Sequence, residues 1–111
     1  MSKRDDKVYL RHILDAIDKI EEYLKNIDED RFKSVTLLQD GVIRQIQIIG
    51  EAAQHLSSSI VDIYTDVPWG DIAGMRHKLV HDYFGVDIDA VWKVAKEDIP
   101  ELKKKVKQIL G

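Results

Sequence analysis

The side chains best suited to chemistry crowd into one stretch, Met75-Arg76-His77-Lys78-Leu79-Val80-His81-Asp82-Tyr83. Arg76 is a cation that cannot shed its charge, and its planar fork of donors suits a carboxylate or a phosphate. His77 and His81 can exchange protons near neutrality. Two readings of Arg76 stay open at this point. It is a structural group, paired with a carboxylate or laid along apolar surface with its tip in water, or it seats an anion such as a phosphate. His77 and His81 have the i, i+4 spacing that clamps a metal, but no glutamate follows His77 as it would in a zinc-protease helix. No metal is expected.

These residues need an element to hold them, and the pattern predicts a helix from Pro68 to Phe84. Pro68 suits the first helical position and Gly85 the cap. At about 100° per residue, Arg76 falls at the centre of an apolar arc formed by Trp69, Ile72, Ala73, Leu79, Val80 and Tyr83. His77 and His81 lie on the flank, His81 about 140° from Arg76. A buried guanidinium without a partner is very costly, so an anion or water must meet it. One ideal helix does not aim Arg76 and His81 at the same phosphate. A bent helix end, long side chains or a second subunit must help.

Other periodic segments complete the frame. Leu10, Ile13, Leu14, Ile17, Ile20, Leu24 and Ile27 mark one face of a helix over about 5–26. Asp28-Glu29-Asp30 breaks it, Arg31-Phe32 reads as a turn, and Ser34 is the expected N-cap of a second long helix reaching about Ser57. Val35, Leu38, Val42, Ile46, Ile49, Ala53 and Leu56 form its core face. Gly41 and Gly50 lie within it, each costing up to about 1 kcal/mol against alanine unless a neighbour packs closely there. Arg44, Gln47, Glu51 and His55 share its other face, a solvated surface or else the wall of a cleft or interface. A short helical piece over about 60–64, a helix over about 90–97 and a restart at Pro100 follow. The lysines at 103, 104, 105 and 107 read as a solvated helix surface. No strand is expected. The fold class is all-α: a single domain over 1–111, an up-and-down bundle of four to five helices.

Bulk properties agree. The chain has 111 residues, 44% hydrophobic and 33% charged, with a formal net charge of −3 and no cysteine. Thiol catalysis, disulfides and cysteine-bound metal are excluded. The net negative charge argues against broad nucleic-acid coating, which is normally basic. Charged residues from Lys3 onward argue against a signal peptide there, and no apolar run approaches a membrane span. The expected location is the cytoplasm.

Arg76, four residues, His81, one residue and Tyr83 make an R-x4-H-x-Y motif. With "IIGEAAQHLS" from Ile48, "VPWGDIAGMRHKLVHDYFGVD" from Val67 and the ending "DIPELKKKVKQIL", nearly the whole chain resembles the HEPN superfamily, and within it the HepT-like toxins. The residue after the arginine is commonly polar in that family; here it is His77. The resemblance implies a helical dimer that brings two R-x4-H motifs together. It also implies metal-independent endoribonuclease activity with no cofactor, in a type VII toxin–antitoxin system. The implied partner is a minimal nucleotidyltransferase antitoxin that transfers AMP from ATP to the motif tyrosine, here Tyr83. On this footing Arg76 and His81 are the catalytic candidates, with His77 and Glu51 in support. The alternative is a non-catalytic, nucleotide-binding or partner subunit of a nucleotidyltransferase. A third reading is a purely structural dimer.

Overall fold

The computed structural model describes residues 3–75, 80–81 and 85–111, with only the backbone at 3–4, 80–81 and 85–86. The fold is all-α apart from one short ladder. Helix α1 spans Lys3–Leu24 and α3 spans Thr36–Gln54, and these two pack along each other. Between them lies α2, Glu29–Ser34; after them come α4, Ser58–Val61, and α5, Trp69–Ala73. The chain ends in α6, Ile88–Lys93, a π turn over Val94–Asp98, and α7, Ile99–Leu110. Among the described residues, no helix is long and apolar enough to cross a membrane.

The expected stripe of α1 forms the core. Leu10, Ile13, Ile17, Ile20 and Leu24 are buried against Val42, Ile46 and Ile49 of α3, and Leu14 and Ile27 are half-buried at the edge. Helix α1 stops where Asn26 takes a positive φ of 62°, a conformation asparagine tolerates better than most residues.

Both glycines of α3 meet a neighbour. A Cβ on Gly41 would lie 3.2 Å from the Tyr23 ring of α1, and one on Gly50 would lie 3.1 Å from the Ala73 carbonyl oxygen of α5. The helix gives up propensity at two positions and gains close packing at both.

Four local expectations are corrected. Residues 29–34 form helix α2, not a turn, because Asp28 caps it through the Arg31 N–H at 2.8 Å and Phe32 is fully buried beneath it. Ser34 closes α2, its hydroxyl donating to the Arg31 carbonyl, while Val35 takes the N-cap position of α3. The side-chain amide of Gln39 donates to the carbonyls of Phe32 and Lys33, satisfying the end of α2.

The third correction concerns Pro100, which does not restart the chain. Proline cannot donate to the carbonyl one turn back, and its ring crowds it. The helix widens instead: the Ile99 N–H reaches Val94, five residues earlier, as a π turn requires. Val91, Ala95 and Ile99 stay buried in one line across this turn, although steps of four would drift round a plain α-helix.

Finally, the helix predicted from Pro68 to Phe84 does not continue to its end. Val80–His81 and Gly85–Val86 are paired antiparallel, Val80 with Val86 and His81 with Gly85. Gly85 is thus a ladder residue, not a helix cap. Valine and aromatic residues dominate this stretch and favour extended backbone.

Candidate functional site

Helix α5 delivers the chain to the chemistry-bearing stretch. Trp69 and Ile72 are buried under it, and the Trp69 indole N–H donates to the Tyr64 carbonyl at 3.1 Å. Its last turn rests on Gly50 of α3, and Met75, two residues past the end of α5, is buried as well. Ala73 and Met75 therefore fix where the motif begins.

Arg76, His77 and Tyr83 lie outside the described residues. His81 has extended backbone in the ladder. The separation of about 140° from Arg76 assumed one continuous helix through both. That premise fails at His81, so the angle is no obstacle to their acting on one group.

Glu51 follows Gly50 directly and is exposed on α3. Arg44 and His55 are exposed with it, and Gln47 is half-buried. His55 stacks on Tyr9 of α1 with ring centroids 4.9 Å apart, and Tyr9 in turn meets His12 edge-on.

A cleft of about 550 Å³ opens beside Met75, with Val67, Ile72, Ile99 and Leu102 in its walls. Among the described residues, Asp66, Asp71, Asp98, Glu101 and Lys105 also line it. Lys105 donates to Asp66 at 2.6 Å, which holds the Asp66 carboxyl below the usual carboxylate range and Lys105 above the usual lysine range. Lys103 and Lys105 of α7 thus do more than decorate a solvated surface, while Lys104 and Lys107 are exposed as expected. Lys103 bonds Glu21 of α1 at 2.5 Å and lies 3.5 Å from Asp18, and its pKa is raised chiefly by the Glu21 bond.

Sequence reasoning missed one buried polar pair. Asp6 of α1 is 1% exposed and accepts from the Ser57 N–H at 2.8 Å and the Ser57 hydroxyl at 2.5 Å. It anchors the start of α4. An aspartate near a helix start carries no signal of a partner so far along the chain. Among the described residues, no group of three His, Asp or Glu could hold a metal ion.

Comparison with known proteins gives a consistent picture. The family model described as "Ribonuclease HepT-like" matches residues 13–109. The "Probable ribonuclease HepT" of Thermococcus cleftensis is 42% identical over 96% of this chain and 97% of its own length. Two proteins of Methanocaldococcus jannaschii carry "putative RNase" in their names. One is 40% identical over 96% of this chain and 97% of its own length. The other, named also as a gamma-glutamylcyclotransferase, is 46% identical over 97% of this chain, which spans only 49% of that protein. No solved structure gives a significant match.

Proposed function

The chain belongs to the HepT-like ribonuclease family, and on that premise we propose that it is a metal-independent endoribonuclease toxin working through Arg76 and His81. The observation that carries this reading is the family match over 13–109, which encloses the whole R-x4-H-x-Y motif at 76–83.

The chemistry follows from the residue types. RNA holds its own nucleophile: the 2′-OH attacks the adjacent phosphorus, the P–O5′ bond breaks, and a 2′,3′-cyclic phosphate and a 5′-OH remain. His81 takes the proton from the 2′-OH or gives one to the leaving oxygen, a role typically worth about 10²–10⁴-fold. Arg76 holds the phosphate and stabilises the charge that builds on its oxygens. His77 and Glu51 support Arg76, Glu51 by orienting the guanidinium from α3. In a homodimer, two motifs supply two of each group to one site.

Tyr83 is the regulatory residue. A minimal nucleotidyltransferase antitoxin transfers AMP from ATP to its hydroxyl with release of pyrophosphate. The added phosphate then competes with RNA for Arg76. The system is a type VII toxin–antitoxin pair, acting in the cytoplasm as a single domain over 1–111.

The deciding experiment compares wild-type protein with His81→Ala on RNA in a chelator. Cleavage by the wild type alone, ending in cyclic phosphate, supports the reading. Equal lack of cleavage ends it and favours the non-catalytic, nucleotide-binding partner subunit. Intact-mass measurement after co-expression with the nucleotidyltransferase then reports AMP on Tyr83, absent in Tyr83→Phe.

A further inference from the structure

The cleft beside Met75 is assembled where three elements meet. Helix α5 gives it Asp71 and Ile72, the π turn gives it Val94 and Asp98, and α7 gives it Glu101 and Leu102. Its floor is apolar: Ile72, Met75, Ile99 and Leu102 are buried and Val94 is half-buried. The volume of about 550 Å³ falls within the range of small-molecule sites, about 300–1,000 Å³. The π turn that Pro100 requires is part of the wall, and such turns are frequent at functional sites.

The polar rim divides into two parts. Lys105 and Asp66 satisfy each other at one edge. Asp98 and Glu101 have no ion pair among the described residues. They stand three positions apart, on the helical face that also carries Leu102. An apolar floor with two uncommitted carboxylates beside it suits an apolar body that carries a cation. The large apolar side chains exposed on the described surface, Val8, Leu37 and Ile63, take no part in the lining. The cleft is thus a discrete hollow, not the middle of a broad apolar patch of the kind a protein partner covers.

We propose that this cleft binds a small organic cation, an ammonium group on an apolar body, with the body against Ile72, Met75, Val94 and Leu102 and the charge beside Asp98 and Glu101. The inference stands apart from the RNase reading, whose groups it does not use. Met75 directly precedes Arg76, so a ligand resting on it adjoins the entry to the motif.

Nuclear magnetic resonance of the full chain with methyl-labelled methionine tests this. Met1 and Met75 are the two methionines, and Met75→Leu assigns the signal of the cleft. The probe is tryptamine, with tryptophol and indole-3-acetate as its neutral and anionic counterparts. Tryptamine is expected to shift the Met75 methyl through its ring and to bind at least about tenfold tighter than tryptophol. Indole-3-acetate is expected to bind more weakly still. Asp98 and Glu101 are exposed, so the double variant Asp98→Asn, Glu101→Gln should fold, as circular dichroism checks. It is expected to weaken tryptamine at least about tenfold and to leave tryptophol unchanged. Spermidine, which has charge without a bulky apolar body, is expected to leave the Met75 methyl in place. No Met75 shift with tryptamine up to about 5 mM overturns the site. Tryptophol binding as tightly as tryptamine, or indole-3-acetate more tightly, overturns the cation assignment. A double variant that binds tryptamine like wild type overturns the role of the two carboxylates. A spermidine shift as large as that of tryptamine overturns the role of the apolar floor.

Discussion

Gly50 of α3 stands so close to the Ala73 carbonyl that a β-carbon there would lie 3.1 Å from its oxygen, and 3.3 Å from that of Ile72. Both oxygens belong to backbone at the end of α5, which cannot swing aside as a side chain can. Gly50→Ala gains up to about 1 kcal/mol in helix propensity and loses about 1–3 kcal/mol to overpacking. The expected result is a lower melting temperature and a displaced entry to the motif, seen as lost RNase activity. Gly41→Ala is the control. It meets only the Tyr23 ring, whose edge can shift, and should stay within about 1 kcal/mol of wild type.

Asp6 makes a second sharp prediction. Asp6→Ala leaves the Ser57 N–H without its partner, and a buried donor left unsatisfied costs about 1–3 kcal/mol. Ser57→Ala removes the hydroxyl contact and keeps the amide bond, so its loss in urea denaturation should be smaller.

Acid and alkali should each weaken the Asp66–Lys105 pair, acid through Asp66 and alkali through Lys105. The Asp66 pKa is lowered in the fold, so its contribution is present above the ordinary aspartate range and lost as pH falls through the depressed value. The Lys105 pKa is raised, so its contribution is present below the ordinary lysine range and lost as pH rises through the raised value. Melting curves of wild type and Lys105→Met should therefore differ by a constant amount near neutrality and converge in acid. The pair is partly solvated, so the difference is small and shrinks with added salt.

The catalytic assignment predicts graded losses. His81→Ala should lower cleavage by about 10²–10⁴-fold with little change in stability. Arg76→Lys keeps the charge but not the planar fork, and should still lose most activity. Single-turnover rates on a short RNA separate the two effects from weaker binding.

Much of this was legible in the sequence. The α1 and α3 stripes are core because their apolar residues recur at helical steps, and Gly41 and Gly50 announced close neighbours. The motif was legible through its residue types and spacing. Less legible were features set by distant partners or by missing donors. Ser34 has the right side chain for an N-cap, but its hydroxyl turns back to Arg31. Val91, Ala95 and Ile99 step by four twice, the one local sign of the π turn that Pro100 requires. Past Ala73 the helical period ran on in sequence, while the backbone at His81 turned extended.

The Asp6–Ser57 bond also bears on the order in which the chain assembles. Its two residues are 51 positions apart, so it forms only once α1 lies along α3. Helix α4 is a single turn, too short to persist alone. It is therefore expected to form late, after the transition state in which α1 and α3 pack. Asp6→Ala should speed unfolding while leaving the refolding rate nearly unchanged, a φ-value near zero. A core change such as Ile17→Val, in the buried α1–α3 interface, is expected instead to slow refolding.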